Sequence, residues 1–132
     1  TKGHYHVQRH PEIYTVLEGK AIYLMQKRKN NNPEEIEDAY TVKAQKGDIV
    51  VILPFYGHVT INPSETEELK MANWVSPQCK SDYSLYEKMC GACYYYLKTD
   101  WAKNENYKIV PSLRFEKPQK SLPEDLNFLK QG

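Results

Sequence analysis

The sequence predicts an all-β protein of one domain, folded as a barrel or a sandwich. Segments rich in β-branched and aromatic residues recur at intervals of roughly 8 to 12 residues, with turn residues between them. Residues 48–54 read Asp-Ile-Val-Val-Ile-Leu-Pro, and such a short apolar run between turn signals is typical of a buried strand. The length of 132 residues suits one domain, and hydrophobic residues make up 40% of it, enough for a modest core.

The first half of the chain divides into strands and turns at its Gly, Pro and Asn residues. Residues 11–23 predict two short strands that meet at a turn on Gly19. The polar stretch 27–38 contains Asn-Asn-Pro and predicts a hairpin loop, whose basic triplet needs no ligand at a solvated turn. Further strands are predicted at 40–43, 48–54, 58–62 and 69–75, with a turn at 44–47.

The second half of the chain predicts little further regular structure. Residues 83–89 predict one or two helical turns, and a polar tail follows at 117–132. The remaining predicted elements are a closing hairpin made by 93–98 and 107–110 about residues 104–106, and a weak helix at 124–130.

The composition disfavours several classes of protein. Eighteen basic residues against seventeen acidic ones leave a net charge of +1, which gives no electrostatic case for binding nucleic acid. No run approaches the roughly 18 apolar residues of a membrane helix. Three cysteines, an odd number, disfavour a disulfide-stapled secreted scaffold, and the CxxC of Cys90 and Cys93 is interpreted as structural. We therefore expect neither a nucleic-acid partner nor a membrane partner.

The strongest chemical signal is the pattern His4-x-His6-x5-Glu12. Side chains alternate faces along a strand, so His4 and His6 point the same way with Tyr5 opposite, while Glu12 and Tyr14 share a face. Two imidazoles and a carboxylate suit a borderline divalent metal such as iron, nickel, zinc or manganese. The pattern predicts a metal site.

A second motif supplies another imidazole far along the chain. It consists of Gly47, Pro54, His58 and Asn62, and the side chains of His58 and Asn62 share a strand face. A His-x-His pair alone is usually without function, but a pair, an acid and a distant His in strand-rich sequence favour metal binding. The fourth histidine, His10, is predicted to be a loop residue.

These two motifs resemble those of the cupin superfamily. The gap of five residues between His6 and Glu12 is longer than the usual cupin gap, and the Pro54-to-His58 spacing is shorter. With these departures the chain resembles the cupin-type glucose-6-phosphate isomerases of archaea and some bacteria, from Thr1 to about Phe115. The segments that carry this resemblance are Thr1-Lys2-Gly3-His4-Tyr5-His6, Glu12-Ile13-Tyr14, Leu17-Glu18-Gly19-Lys20 and Leu53-Pro54-Phe55-Tyr56-Gly57-His58-Val59-Thr60-Ile61-Asn62.

The resemblance implies a cupin double-stranded β-helix, a jelly-roll barrel, over residues 1–116, with a short C-terminal helical tail at 117–132. Family members have further strands before the first motif, so we expect that upstream strands precede Thr1 in the complete protein. The resemblance also implies a cytoplasmic homodimer.

The implied activity is metal-dependent interconversion of glucose 6-phosphate and fructose 6-phosphate, a step of glycolysis and gluconeogenesis. One divalent ion, iron or nickel before zinc or manganese, would be held by His4, His6, Glu12 and His58. Glu12 is also the proposed base of an enediol route in this family, and a metal-assisted hydride shift is the alternative. Tyr14 is the second implied catalytic residue.

The resemblance implies substrate contacts by Thr1, Gly3, Tyr14 and Tyr83. The phosphate shell departs from the family pattern, because Ser81 stands where the family often has His, and Trp74 and Phe55 stand where it has Tyr. Tyr56, the neighbour of Phe55, is a candidate to supply the missing hydroxyl.

Two other functions fit the same metal motif. A cupin dioxygenase would use these ligands with an open position for iron(II) and oxygen. A cupin without catalysis would bind only a sugar or a partner. The phosphate-shell residues distinguish the isomerase from both.

Overall fold

Turn residues with positive φ divide the chain into strands. Gly19 (φ 81°) and Gly47 (φ 89°) occupy the left-handed region, which glycine adopts without strain. The structure, a computed structural model, describes residues 3–7, 10–30, 32–123, 126 and 129. These residues form β1 (Tyr5–His6), β2 (Glu12–Glu18), β3 (Lys20–Lys29), β4 (Asn32–Gln45), β5 (Ile49–Ile52), β6 (Tyr56–Ile61), β7 (Lys70–Val75), β8 (Ser81–Asp82), α1 (Ser84–Lys88), β9 (Tyr94–Tyr96), β10 (Trp101–Lys103) and β11 (Arg114–Glu116).

Two main sheets organise the described part of the chain. The larger has the strand order β11-β4-β3-β6, and the smaller has the order β5-β2-β7. Neighbouring strands in both are antiparallel, except that β11 runs parallel to β4. Two-stranded ribbons, β1-β8 and β10-β9, flank these sheets. The architecture confirms the predicted all-β fold class and is consistent with a cupin sandwich.

Apolar side chains from both sheets form one core. Tyr23 lies opposite Val42, and Met25 lies opposite Tyr40, across β3 and β4. Opposite residues in a strand pair share a face, so these four side chains point together. Burying a large aliphatic side chain of such a core contributes about 1.5–3 kcal/mol. The buried members of this core are Tyr14, Val16, Ala21, Tyr23, Met25, Tyr40, Val42, Ala44, Val50 and Ile52.

The C-terminal half of the chain covers the outer faces of the sheets. On the larger sheet, Leu24 packs in one buried cluster with Tyr86 of α1 and with Tyr94 of β9. On the smaller sheet, Ile13 and Ile49 cluster with Leu129. The predicted boundary between a barrel at 1–116 and a tail at 117–132 stays a prediction. The helix predicted at 124–130 falls outside the described residues, apart from 126 and 129.

The two-residue strand β1 is held by contacts on the face opposite its histidines. The Tyr5 hydroxyl accepts a hydrogen bond of 2.8 Å from Gln26 Nε2, and the Arg28 guanidinium lies 4.4 Å from the centre of the Tyr5 ring. Tyr5 is 4% exposed, so this anchor lies in the protein interior. A buried side chain with a fixed hydrogen bond stabilises a strand that is too short to be stable alone.

Gln26 joins β1 to the segment that covers the larger sheet. Its Oε1 accepts a hydrogen bond of 2.9 Å from the Cys93 backbone amide, and its Nε2 also donates to the Tyr107 hydroxyl at 3.2 Å. Gln26 is fully buried, and a buried amide is stabilising only when its hydrogen bonds are made. Burial raises the pKa of the Cys93 thiol to about 12, which agrees with a structural role for this cysteine.

The hairpin predicted at 27–38 is present, but its loop is much shorter than predicted. Strand β3 continues to Lys29, and β4 begins at Asn32, with register shifts on the β3 side that follow Lys27. Ile36 is buried in the cluster that contains Leu24 and Tyr86, and Lys27 forms an ion pair of 3.1 Å with Glu37. The polar composition concealed a strand pair because its polar side chains neutralise each other at the surface.

The closing hairpin is also placed differently from the prediction. Strands β9 and β10 pair directly with each other, so the chain reverses within residues 97–100. The Asn104 side chain is buried and donates to the carbonyls of Met89 and Ala92 at 2.8 and 3.0 Å. Asn104 therefore ties the chain to the end of α1 and does not form a hairpin tip. The helical turns predicted at 83–89 are confirmed by α1.

The described part of the chain holds no helix with the length and apolar character that crossing a bilayer requires.

The first prediction concerns the space beside Gly57. A Cβ at this position would lie 2.7 Å from Tyr5 Cε1 and 2.8 Å from the Tyr86 hydroxyl, and both rings are buried. We expect Gly57→Ala to lower the free energy of unfolding by about 1–3 kcal/mol, the usual cost of overpacking. Urea denaturation measures the change.

Tyr86→Phe provides the matched test, because it removes the clashing hydroxyl and leaves the clash with the Tyr5 ring. The Tyr86 hydroxyl is buried without a hydrogen-bond partner among the described residues, so its removal alone should leave stability unchanged or higher. The double variant should recover part of the loss caused by Gly57→Ala. Strict additivity of the two changes would contradict the steric explanation.

Candidate metal centre

Four potential ligands from three strands meet inside the fold. His6 lies on β1, with His4 directly before it; Glu12 begins β2; and His58 lies on β6. One ligand atom from each residue lies within 4.8 Å of the others. The structure thus brings together all the residues that the two sequence motifs suggested as ligands.

Backbone pairing brings the distant His58 to the first motif. The His4 amide donates to the His58 carbonyl at 3.1 Å, and the His58 amide donates to the His4 carbonyl at 3.0 Å. The two rings consequently lie 4.3 Å apart, measured between centroids. Direct opposition in an antiparallel pair places both side chains on the same face.

Glu12 lies between two of the imidazoles. Its Oε1 is 3.0 Å from His6 Nε2 and 3.2 Å from His58 Nε2. The Glu12 side chain is 5% exposed and the His58 side chain 2% exposed. A buried carboxylate that faces imidazole nitrogens at these distances is an arrangement that a cation can bridge.

The orientation of His6 is fixed by a backbone carbonyl. His6 Nδ1 donates a hydrogen bond of 2.6 Å to the carbonyl of His10. This bond keeps a proton on Nδ1, so Nε2 is the nitrogen that faces Glu12 and the centre of the cluster. Metal-binding histidines usually have such a partner on the nitrogen that does not bind the ion.

The pKa shifts of Glu12 and His58 favour the protonation states that bind metal. Burial acts to raise the pKa of the Glu12 carboxyl, but hydrogen bonds from the two imidazoles outweigh it and hold the pKa well below its usual range. Burial lowers the pKa of His58 in spite of the nearby carboxylate. An ionised Glu12 and a neutral His58 are therefore expected at neutral pH, as metal binding requires.

His6 differs, because its pKa is raised. Burial acts to lower this pKa, but the hydrogen bonds to Glu12 and to the His10 carbonyl outweigh the burial. A cation at the centre would compete with this proton, so metal binding and proton release at His6 are coupled. The donor set of three imidazoles and one carboxylate fits a divalent ion that accepts nitrogen and oxygen, as iron, nickel, zinc and manganese all do.

Asn73 is a site residue that sequence reasoning missed. Its Nδ2 donates a hydrogen bond of 2.6 Å to Glu12 Oε2, whereas the contacts with His6 and His58 are made by Oε1. Asn73 lies on β7 directly opposite Tyr14 on β2. The available signal was a single amide side chain within the otherwise apolar run Met71 to Val75.

Tyr14 lies at the edge of the cluster. Its hydroxyl is 3.4 Å from His58 Nε2, and its ring lies 5.2 Å from the ring of Tyr23. Burial and the neighbouring Glu12 carboxylate raise the pKa of Tyr14, so the hydroxyl keeps its proton at any physiological pH. Tyr14 is therefore available as a hydrogen-bond donor.

The other predicted substrate contacts are placed at different distances from the cluster. The Tyr83 ring lies 5.0 Å from the His4 ring, and 39% of Tyr83 is exposed. Gly3 is buried, and a Cβ there would come within 2.2 Å of Tyr86, which gives Gly3 a packing reason to be glycine. Thr1 lies outside the described residues.

The residues that stand in place of family tyrosines do not bring hydroxyls to the cluster. Trp74 lies opposite Ile13 and packs with it in the outer cluster of the smaller sheet. The Tyr56 hydroxyl donates to Asp38 at 2.6 Å, so the candidate replacement for a hydroxyl at Phe55 is bound to another group. His10 lies between β1 and β2, as predicted for a loop residue, and it is buried, with Nδ1 3.2 Å from the Leu129 carbonyl.

The family model for glucose-6-phosphate isomerase matches residues 1–112. The chain belongs to the glucose-6-phosphate isomerase family. The match covers the whole ligand cluster, and it confirms the resemblance to the cupin-type isomerases. A search of curated proteins found no match to this member of the family.

The second prediction concerns metal retention. We expect His58→Ala to weaken binding of a divalent ion by more than the roughly 10–100-fold that loss of an outer-shell partner causes, because a ligand itself is removed. Elemental analysis after dialysis against a chelator measures the metal that remains.

His10→Ala is the matched control for this measurement. It also removes a buried imidazole, but it keeps the backbone carbonyl that accepts the His6 hydrogen bond. We expect this variant to retain metal. Equal retention by the His58→Ala and wild-type proteins would exclude His58 from the ligand set.

Proposed function

We propose that the protein interconverts glucose 6-phosphate and fructose 6-phosphate at a divalent metal centre formed by His4, His6, Glu12 and His58. Two findings support this proposal. The chain belongs to the glucose-6-phosphate isomerase family, and the ligand atoms of these residues lie within 4.8 Å of one another. The convergence of the four ligands is the observation on which the proposal depends most, because the reaction needs an electrophile beside two sugar oxygens.

The reaction is an internal transfer of hydrogen and needs no co-reactant. A hydrogen leaves C2 of the open-chain aldose and arrives at C1, while a proton passes from the C2 oxygen to the C1 oxygen. A bound divalent ion supplies Lewis acidity for the two oxygens. The protein must hold the open chain so that C1 and C2 face the cluster, and it must anchor the phosphate away from it.

Glu12 and Tyr14 are the proposed catalytic residues. In an enediol route, the Glu12 carboxylate takes the C2 proton and returns it to C1; in a hydride route, the hydrogen moves directly and Glu12 serves only as a ligand. Tyr14 donates a hydrogen bond to a sugar oxygen in both routes, since its hydroxyl stays protonated. Isomerisation in deuterium oxide separates the two routes, because only the enediol route allows exchange with solvent.

The phosphate end of the substrate is assigned to Tyr83 together with Thr1 and Gly3. Tyr83 is half-exposed beside His4, a position from which a phenol can reach a ligand outside the cluster. A dianionic phosphate is held by several hydrogen-bond donors, and a phenolic hydroxyl is one of them. The backbone amides of the first motif would supply others, as the family resemblance implies.

The same family membership leads us to propose a cytoplasmic homodimer. Strand β7 ends the smaller sheet, and Tyr95 of β9 is 39% exposed. An open sheet edge is a surface that proteins commonly cover by association. Light scattering on the purified protein tests the proposal.

The third prediction tests the function directly. The protein is stripped with a chelator, reconstituted with iron(II), nickel, zinc or manganese in separate samples, and assayed for glucose 6-phosphate formation with a coupled dehydrogenase. We expect activity with at least one metal and none in the stripped protein. Oxygen consumption without isomerisation would indicate a dioxygenase, and metal and sugar binding without turnover would indicate a binding protein.

The fourth prediction tests the phosphate end. We expect Tyr83→Phe to raise KM about tenfold or more, because a hydrogen bond to a charged group contributes about 1.5–3 kcal/mol. Tyr95→Phe is the matched control, since Tyr95 is equally exposed and its hydroxyl donates to the Cys90 carbonyl. An unchanged KM in Tyr83→Phe would remove Tyr83 from the substrate site.

A further inference from the structure

The two oxygens of the Glu12 carboxylate have different surroundings. Oε1 is the oxygen close to the imidazole nitrogens, at 3.0 Å from His6 Nε2 and 3.2 Å from His58 Nε2. Oε2 accepts a hydrogen bond of 2.6 Å from Asn73 Nδ2. Rotation about the last bond of the glutamate side chain would exchange or mix these positions, so something must hold the carboxylate in one orientation.

Asn73 is well placed to hold it. The residue lies on β7 directly opposite Tyr14, and β7 pairs with β2, the strand that carries Glu12. An ionised carboxylate can accept hydrogen bonds but cannot donate them. The Asn73 atom that faces Oε2 at this distance is therefore the amide nitrogen. A hydrogen bond to a charged group is stronger than one between neutral groups, and its length here is typical of the strong kind.

We infer that Asn73 is a positioning residue of the metal centre, whose amide fixes the rotation of the Glu12 carboxylate so that Oε1 faces the Nε2 atoms of His6 and His58. This inference rests on the proposed function, because it assigns Asn73 a role toward the ion that the four ligands would hold. The role is indirect: Asn73 acts through Glu12.

The position of Asn73 at a sheet edge makes this role separable from packing. Asn73 is exposed, while Glu12 is 3% exposed. The side chain therefore reaches from the surface to a buried carboxylate, and its neighbours on β7 supply the apolar contacts of the strand. A side chain that served only to stabilise β7 would have no reason to be an amide at this register.

Loss of the amide should change how the carboxylate binds a cation. Without the bond to Oε2, the Glu12 carboxylate can turn and offer both oxygens, or turn away from the cluster. Either change alters the number or geometry of the ligands, which the visible spectrum of cobalt(II) reports directly. Partners outside the ligand set typically contribute about 10–100-fold to metal affinity or activity.

The experiment compares Asn73→Ala and Asn73→Leu with the wild-type protein, with cobalt(II) as the probe. Leucine keeps the branched shape of asparagine without a donor, so it distinguishes loss of the hydrogen bond from loss of volume. Lys70→Ala is the control on the same edge strand, because Lys70 is exposed and forms a surface ion pair with Glu18 in β2. Thermal unfolding of each stripped protein monitors folding.

We expect both Asn73 variants to show an altered cobalt spectrum and a cobalt affinity about 10–100-fold lower in competition with a chelator. In the isomerase assay, kcat should fall while KM changes less than twofold, because the substrate contacts are intact. Lys70→Ala should match the wild type in all three measurements. If Asn73→Ala does not fold, Asn73→Leu carries the test.

The outcomes separate this inference from the proposed function. A wild-type protein that binds cobalt and isomerises the sugar phosphate, beside Asn73 variants with the same spectrum, affinity and kcat, would overturn the role of Asn73 alone. A wild-type protein that binds cobalt but has no isomerase activity would overturn the proposed function, and the spectrum and affinity of the variants would still decide whether Asn73 positions Glu12.

Discussion

The reciprocal backbone pairing of His4 with His58 is the interaction on which the rest of the site depends. The two hydrogen bonds, of 3.1 and 3.0 Å, attach a strand of only two residues to the edge of the larger sheet. Without this pairing, the first motif would have no fixed relation to the second. Tyr5 strengthens the attachment from the other face, because its hydroxyl is bonded to Gln26 and its ring is packed below Arg28. The alternation of a strand thus separates two tasks, with the candidate ligands on one face and an anchor on the other.

The sequence was sufficient to predict which four side chains converge, because metal chemistry restricts both residue type and spacing. His4, His6 and Glu12 could be assigned by strand alternation. His58 came from a second motif, and the family resemblance joined that motif to the first. Asn73 could not be found in this way. A single amide in a strand has many explanations, and only the register of β7 against β2 shows that it faces Glu12.

The fold was predicted well where apolar residues repeat and poorly where polar residues pair. The apolar run at 48–54 contains strand β5, as predicted. Residues 27–38 form strands despite their polarity, because Lys27 and Glu37 neutralise each other across the strand pair. Several hydroxyls of the eleven tyrosines donate hydrogen bonds to carbonyls of the protein itself. Tyr94 donates to the Pro111 carbonyl and Tyr107 to the Gly91 carbonyl. A tyrosine can bury its apolar ring and use its hydroxyl to donate to a backbone carbonyl that has no other partner in a sheet or helix. Composition alone does not distinguish this use from ligand binding.

Gln26 links the candidate metal centre to a backbone amide far along the chain. The Gln26 side chain donates a hydrogen bond to the Tyr5 hydroxyl and accepts one from the backbone amide of Cys93. Tyr5 lies between His4 and His6 in the sequence. A local opening that releases Tyr5 from Gln26 also disturbs the hydrogen bond between Gln26 and the Cys93 amide. Amide hydrogens exchange with solvent only when their hydrogen bonds open. A single nitrogen–proton resonance, that of Cys93, should therefore follow the integrity of the ligand strand by nuclear magnetic resonance, even with a diamagnetic ion or none bound.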